Sequence, residues 1–258
     1  MADAGPRIGA ALAAVEADHG VRILFAVESG SRAWGHPSPD SDYDVRFVYH
    51  RPLASYLTVG RRRDVLEPGL IGDLDLAGWD IDKALRLLVS GNPSILEWLA
   101  SPIRYHETAW RARIEALADM GPHRRAAYWH YRALARRQRE LLGGDGPVKL
   151  KRYFYVIRPA LAVAWLGQHP SGPDRVPMAL PDLLAQTAIA TDLRQAIDGL
   201  LAAKAQTSEM GTGPRIACID AFVAAHLDGD GEAPSREPSA DLLRAADNLF
   251  REIVTTGF

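Results

Sequence analysis

Residues 21–49 read VRILFAVESGSRAWGHPSPDSDYDVRFVY. The run from Val21 to Val27 is apolar on both faces, as in a strand that is covered on both sides of a sheet. From Asp42 to Tyr49 polar and apolar residues alternate, which predicts a strand with one core face and one polar face. The polar face carries Asp42, Asp44, Arg46 and Val48, and the core face carries Tyr43, Val45, Phe47 and Tyr49.

The flanking sequence extends this α/β pattern and then becomes helical. Asp73–Ala77 is a third strand candidate, and Asp80 after it is placed to cap a helix. Beyond residue 105 apolar residues recur at helical spacing in six segments, 107–119, 123–142, 148–166, 191–206, 214–227 and 239–255. We therefore predict an α+β protein. A mixed sheet with flanking helices forms a catalytic domain over residues 1–105, and an all-helical domain follows over residues 106–258.

Composition narrows the class of protein. The chain has 258 residues, of which 47% are hydrophobic and 24% charged, which excludes wholesale disorder. The only cysteine, Cys218, excludes an internal disulfide and a cysteine-rich zinc site. We find no apolar run long enough to span a bilayer and no secretory leader, so we expect a cytoplasmic protein without a membrane partner.

Charge is unevenly distributed along the chain. The formal net charge is −2, yet residues 104–158 hold 13 Lys and Arg against 5 Asp and Glu. A basic block in a near-neutral chain is typical of a surface that meets phosphate, either on a nucleotide or on RNA. A solvated basic helix face is the alternative interpretation.

Asp42 and Asp44 are the strongest candidates for chemistry. Two carboxylates on one face of a strand repel each other unless a cation lies between them, and oxygen ligands at this spacing suit Mg²⁺. Two-metal phosphoryl transfer uses such a pair together with a third carboxylate. We choose Asp75 as the third, and Asp73, on the same face, is the alternative.

Other phosphate and metal motifs are missing from the sequence. There is no Gly-x-x-x-x-Gly-Lys-Ser/Thr run and no Gly-x-Gly-x-x-Gly after a strand, which excludes a P-loop enzyme and a dinucleotide fold. A calcium loop starting at Asp40 fails, because Val45 stands where glycine is required and Arg51 where glutamate is required.

The Gly30-Ser31 turn, the ten residues after it and Asp42-Tyr43-Asp44 together resemble the nucleotidyltransferase superfamily typified by DNA polymerase beta. Further motifs are similar to the predicted nucleotidyltransferases associated with RNA ligases. They are ESGSRAWG (28–35), SDYDVRF (41–47), GWD (78–80), NPSILEWL (92–99) and KRYFYVIRP (151–159). The resemblance implies a metal-binding triad of Asp42, Asp44 and Asp75, and Asp75 stands four residues before Trp79 as the family pattern requires. Asp82 departs from the pattern, which has a basic residue there, although Lys83 is adjacent.

We expect two groups of residues to contact the nucleotide. Gly30 and Ser31 form a turn whose backbone can approach phosphate closely, and the resemblance adds Arg32 and Lys83. A basic aromatic helix start supplies cations for the triphosphate and rings for the base. Its candidates are Lys149, Lys151, Arg152, Tyr155 and Arg158, of which Lys151, Tyr155 and Arg158 share one helix face.

These features predict an enzyme. We expect a nucleotidyltransferase that uses Mg²⁺, or Mn²⁺, to move a nucleoside monophosphate from an NTP, with ATP as first choice, to a hydroxyl. An RNA end bound through segment 104–158 is the favoured acceptor and RNA repair the favoured role. Nucleotidylation of a protein, as in antitoxin-type nucleotidyltransferases, and a catalytically silent nucleotide sensor are the alternatives. The oligomeric state stays open.

Overall fold

A computed structural model describes residues 4–121, 123–144, 146–170, 175–207, 209–227 and 240–256. Its contacts divide the chain into two compact units that are interleaved along the sequence. The first unit contains the elements before residue 31, those between residues 42 and 121, and the last helix. The second contains residues 31–41 and the elements between residues 123 and 227. The domains predicted from sequence, by contrast, were two consecutive segments.

A five-stranded mixed sheet forms the centre of the first unit. Its strands are β1 (Arg22–Ser29), β2 (Tyr43–His50), β3 (Val65–Ile71), β4 (Leu74–Asp80) and β5 (Arg104–Glu107), in the spatial order β3-β4-β2-β1-β5. Strands β2 and β4 are parallel, and the other neighbours are antiparallel. The three strands predicted from sequence are the three central ones, and the two edge strands were not predicted.

Helices cover both faces of this sheet. The helices of the first unit are α1 (Gly5–His19), α3 (Ile81–Val89), α4 (Pro93–Ala100), α5 (Ala109–Asp119) and α11 (Ala240–Thr256), whereas the short helix α2 (Gly30–Ala33) begins at the last residue of the first segment of this unit and continues into the second unit. Helix α1 packs on the face that carries Val45, Phe47 and Tyr49. The other four long helices pack on the face that carries Phe25 and Val48.

Side-chain caps fix where two of these helices begin. Asp80 accepts a hydrogen bond from the backbone N–H of Asp82 at the start of α3, which confirms the predicted cap. Asn92 does the same for α4 through the N–H of Ser94. Both caps satisfy backbone donors that the first helical turn leaves free.

The second unit is helical with one short ladder. Its helices are α6 (Arg124–Leu142), α7 (Arg152–Gln168), α8 (Leu180–Gln186), α9 (Thr191–Gln206) and α10 (Ala217–Leu227). Two-residue strands β6 (Val148–Lys149) and β7 (Thr212–Gly213) pair antiparallel, so α7 begins four residues later than predicted. Helix α7 is buried over most of its length, including Phe154 and Ile157. The architecture as a whole confirms the predicted α+β class with a helical C-terminal region.

Candidate active site

Two of the predicted metal ligands are direct neighbours across the sheet. The parallel pairing of β2 with β4 places Asp44 opposite Asp75. Residues paired in this way have Cβ atoms about 5 Å apart, so the two carboxylates lie on one face within reach of a single cation. Asp42 precedes β2 by one residue and is exposed, and its position on the face of Asp44 stays a prediction from their spacing of two.

Arg46 bridges the paired carboxylates. Its Nη2 lies 2.7 Å from Oδ2 of Asp75 and 3.4 Å from Oδ1 of Asp44, and its Nη1 donates to the carbonyl oxygen of Asp75 at 2.9 Å. The alternation of β2 placed Arg46 on the polar face, but this role was not predicted. A cation therefore lies where like charges would otherwise repel.

The carboxylates are partly open to solvent. The side chain of Asp44 is 32% exposed and that of Asp75 is 44% exposed, whereas Val45 and Leu76 next to them are buried in the sheet core. This alternation fixes the direction of the carboxylates, because shifting either strand by one residue would turn its own aspartate into the core. The core thus determines which face of the sheet is acidic.

Gly30 allows the backbone to lie against the Asp44 carboxylate. It has φ of +69°, and a Cβ built on it would lie 2.1 Å from Oδ2 of Asp44. Any side chain at this position would be strained by the backbone angle and would also displace the carboxylate. The glycine predicted as a phosphate contact is therefore also required by the carboxylate face.

A buried glutamate supports Asp44 from inside the sheet. Glu28 is fully buried, and its Oε1 accepts a hydrogen bond of 2.9 Å from the backbone N–H of Asp44. The hydroxyl of Tyr105 donates to the other carboxylate oxygen, and Ser101 donates to the carbonyl of Glu28 at 2.6 Å. Sequence reasoning assigned no role to Glu28, although a carboxylate ending an otherwise apolar strand was a signal.

The donor set fits a hard divalent cation. The paired carboxylates of Asp44 and Asp75 offer the oxygen ligands that Mg²⁺ prefers, and Asp42 is the predicted third. As the side chains stand, no three His, Cys, Asp or Glu residues in the described ranges form a group that could hold an ion. Arg46 lies between Asp44 and Asp75 instead.

Asp73, the alternative third ligand, lies away from this bridge. Its carboxylate forms an ion pair with Arg7 of α1, and both side chains are about half exposed. It precedes β4, whereas Asp75 is paired with Asp44 within the ladder. The structure therefore favours Asp75 by position.

Comparison with known proteins gives the family. The model of the RNA repair pathway DNA polymerase beta family matches residues 4–252. The chain belongs to this family. It is thus a polymerase beta-type nucleotidyltransferase of an RNA repair pathway, which confirms the resemblance and the enzyme class predicted from sequence.

Two further proteins are similar to this family member. The protein named uncharacterized protein YcgL from Bacillus subtilis (strain 168) is 37% identical over 244 residues, 94% of this chain and 92% of that one. A nucleotidyltransferase-like protein from Exiguobacterium sibiricum 255-15 has a crystal structure that covers 97% of this chain and 92% of its own. Its TM-score of 0.31 and identity of 11% are too low to carry an argument.

Four of the nucleotide-contact candidates of this polymerase beta family member line one cavity in the second unit. The cavity has a volume of about 510 Å³. Its candidate residues are Lys149, Lys151, Arg152 and Tyr155, and they are joined by Gln138, Glu209, Met210, Gly211 and Thr212. Three cations against one carboxylate give this cavity a positive lining, and the exposed ring of Tyr155 offers a stacking surface.

The fifth helix candidate, Arg158, has a different environment. It is 4% exposed, its Nε donates to the carbonyl of Met178 at 2.9 Å, and its guanidinium lies 4.8 Å from the centre of the Trp34 ring. Arg158 is predicted to share a helix face with Lys151 and Tyr155, but those two line the cavity whereas Arg158 is buried.

The remaining candidates make contacts of their own. The Ser31 hydroxyl donates to that of Ser41 at 3.1 Å, and Arg32 donates to the carbonyl of Ser41 at 2.6 Å. Lys83 lies 3.4 Å from Asp64, beyond the end of β4 opposite to Asp75. Asp80, where α3 begins, is five positions along β4 from Asp75, a distance of about 16 Å, so Lys83 is not brought to the carboxylate face.

Asp80 shows what a structural carboxylate looks like on the same strand. It is fully buried, its Oδ1 accepts from the hydroxyl of Tyr56 at 2.8 Å, and Arg51 and Arg62 each lie 3.4 Å from its Oδ2. Burial raises the pKa of Asp80 and also that of Tyr56. Two cations and a cap thus hold Asp80 in the fold.

The basic segment does not form one continuous basic surface. Arg111, Arg124 and Arg132 are at most 8% exposed and donate to the backbone carbonyls of Leu99, Leu166 and Leu227. Together with Arg158 they account for four of the cations counted in this segment. The charge excess in residues 104–158 therefore comes partly from internal arginines that bind carbonyls.

No helix in the described ranges has the length and apolar character needed to cross a membrane.

Proposed function

We propose that this nucleotidyltransferase moves a nucleoside monophosphate from an NTP, ATP by preference, to a hydroxyl at an RNA end. The observation that carries the proposal is the direct pairing of Asp44 with Asp75 beside Gly30. A carboxylate pair at this spacing, with a third carboxylate two residues away, is the donor set of two-metal phosphoryl transfer. The family adds the RNA repair context.

Asp42, Asp44 and Asp75 would hold Mg²⁺, with Mn²⁺ as a substitute. When bound, a divalent ion supplies positive charge against the triphosphate and lowers the pKa of a coordinated hydroxyl. The chain contributes a rigid placement of the ligands, since the ladder fixes Asp44 against Asp75 and Glu28 fixes the backbone of Asp44.

The nucleotide is bound by charge and by stacking. Gly30 and Ser31 give the phosphates a turn without an obstructing side chain, and Arg32 adds a cation beside it. Lys149, Lys151 and Arg152 provide charge in the cavity, where Tyr155 can stack on a base. Arg158 acts indirectly by holding the Trp34 ring rather than by touching the nucleotide.

The reaction exchanges a phosphoanhydride bond of the NTP for a phosphoester bond to the acceptor. The acceptor hydroxyl oxygen bonds to the α-phosphorus, the bond from that phosphorus to the β-phosphate oxygen breaks, and pyrophosphate leaves. Asp75, the more exposed member of the pair, accepts the hydroxyl proton. Positioning and charge provide the acceleration, as in other phosphoryl transfers.

The test is label transfer from each α-³²P-labelled NTP in the presence of Mg²⁺ and total cellular RNA, with RNA and protein resolved on gels. We expect label on RNA with wild type and none with the double variant Asp42→Asn, Asp44→Asn. Circular dichroism checks that the variant is folded. Label that persists in the double variant would refute the assignment of these carboxylates.

The same gels separate the other acceptors. Label on a protein band alone would replace the RNA end by protein nucleotidylation. Absence of transfer with measurable NTP binding would favour a nucleotide sensor and contradict the proposal. Substitution of Mn²⁺ for Mg²⁺ should retain transfer, because both ions accept oxygen ligands in octahedral geometry.

A further inference from the structure

Lys204 is a buried cation without a counter-charge. It lies in the last turn of α9 and is 2% exposed. Its Nζ lies 2.9 Å from Nδ1 of His36, and no carboxylate among the described residues forms an ion pair with it. A buried ammonium group that lacks an anion destabilises the folded state, so its placement calls for a reason.

His36, the partner of Lys204, carries a hydrogen-bond donor without an acceptor. Burial, followed by the charge of Lys204, lowers the pKa of His36 to about 3, so the imidazole is neutral. Because the ammonium donates to Nδ1, the single ring proton lies on Nε2. Nε2 is buried and has no hydrogen-bond partner, and the same is true of the indole Nε1 of Trp34.

These three side chains form one packed group, here called the donor cluster (Trp34, His36 and Lys204). The His36 ring is 5.9 Å from the Trp34 ring and stacks on Phe154 at 4.8 Å. Lys204 Nζ lies 5.0 Å from the centre of the same Phe154 ring. Two N–H donors without an acceptor and one ammonium group without a counter-charge thus collect at one place, which fits an anionic ligand.

The donor cluster adjoins the cavity that holds the nucleotide-contact candidates. Tyr155, which lines the cavity, packs edge-on against Trp34 at 6.3 Å. Lys151 also lines it and is close enough for its charge to add to burial in lowering the pKa of Lys204, to about 8. An anion in the cavity therefore has Lys151 at the wall and Lys204 behind it.

We propose that the donor cluster is a phosphate-binding subsite which, with Lys151, binds the phosphate chain of a nucleoside triphosphate. The anionic class of the ligand follows from the cluster itself. Its identity as a nucleotide rests on the proposed function. Binding supplies the counter-charge that Lys204 lacks and acceptors for the two unpartnered N–H groups.

The test is calorimetric titration of the full chain with ATP and with inorganic tripolyphosphate at pH 7 without divalent metal. We expect Lys204→Met to weaken binding of both by at least about tenfold, since a charge-assisted hydrogen bond to phosphate is lost. Without ligand, Lys204→Met should melt at the same temperature as wild type or higher, because an unpaired buried charge is removed. A purely structural lysine would give the opposite change in melting temperature.

Arg194→Met is the matched control, because Arg194 lies on the same helix but forms an exposed ion pair with Asp198. It should leave both affinities unchanged. If Lys204→Met does not fold, His36→Phe serves in its place, because it keeps the lysine and removes the Nε2 donor. It should lower the affinity for ATP and for tripolyphosphate severalfold. ATP binding that depends on Lys204 without tripolyphosphate binding would also support the subsite.

Two outcomes would overturn the proposal. One is that wild type binds neither ATP nor tripolyphosphate, and the other is that Lys204→Met or His36→Phe binds both like wild type. The assay involves no transfer step. Phosphate binding that depends on Lys204 in a protein that transfers no label would therefore refute the proposed function and leave the subsite standing.

Discussion

The carboxylate face of the first unit has more negative than positive charge, and the donor cluster of the second unit has positive charge without a negative partner. At the carboxylate face Asp44 and Asp75 share one internal cation, Arg46, and their side chains are partly exposed. In the donor cluster Lys204 is buried and is paired only with a neutral histidine. A charge that the chain leaves uncompensated indicates the charge of the ligand. The first region therefore suits a cation and the second an anion.

The largest expected effect separates Asp75 from Asp73, two aspartates that are two residues apart. Asp75→Asn should lower transfer by about 10²- to 10³-fold, since a metal ligand contributes several kcal/mol to the transition state. Asp73→Asn weakens an exposed ion pair with Arg7 and should leave the rate within about twofold. The measurement is kcat for label transfer in each variant. Equal loss in both would show that β4 pairing does not select the ligand.

Glu28 tests whether the carboxylate face needs its buried support. Glu28→Met leaves the N–H of Asp44 without its acceptor, and we expect kcat to fall about 10- to 100-fold, with more Mg²⁺ needed for half-maximal rate. Glu28→Gln keeps an oxygen that accepts from Asp44 and should recover most of the rate. A Gln variant as impaired as the Met variant would contradict the positioning role.

The central strands and most helices could be predicted because burial leaves a periodic signal. Strand β2 alternates, β1 is apolar from Ile23 to Val27, and apolar residues of the helices recur at spacings of three and four. The edge strands β3 and β5 gave no such signal. β3 is mostly exposed and contains Pro68 and Gly69, and β5 has no fully buried residue. Edge strands need neither an apolar face nor a second neighbour, so their sequences resemble loops.

Site residues were predictable where local spacing determines them. Asp42 and Asp44 share a face because of strand geometry alone, whereas the Asp44–Asp75 register depends on a crossover between strands. Lys204 illustrates the limit, because a lysine in an alanine-rich helix is expected at the surface and its burial against Phe154 comes from tertiary packing. The return of α11 to the first unit also depends on tertiary packing, which no local sequence pattern predicts.

The neutral, buried His36 of the donor cluster should make the folded protein less stable in acid. Burial first, and then the charge of Lys204, lower its pKa to about 3, whereas the unfolded chain has the ordinary value near 6.5. Between these two values the imidazole is protonated in the unfolded state and neutral in the folded state. The free energy of unfolding therefore falls as pH drops from about 6.5 towards 3. In urea unfolding, we expect the free energy of unfolding of His36→Gln to fall by about 1 kcal/mol less than that of wild type between pH 7 and pH 5.5. Parallel pH curves would contradict a buried neutral imidazole.

Replacement of Arg46 at the carboxylate face should give the smallest effect, and it tests whether this face binds a cation. Arg46→Met leaves Asp44 and Asp75 unscreened, and because these groups are partly exposed we expect a loss of at most about 1 kcal/mol of unfolding free energy at low salt. Added Mg²⁺ should restore more stability in this variant than in wild type, since an ion no longer competes with the guanidinium for the carboxylates. Arg7→Met, which also removes an arginine paired with an aspartate, should show no difference in its response to Mg²⁺. Equal Mg²⁺ responses in Arg46→Met and wild type would mean that Arg46 does not occupy the place of a cation, and the charge deficit of the carboxylate face would then lose its meaning as a guide to the ligand.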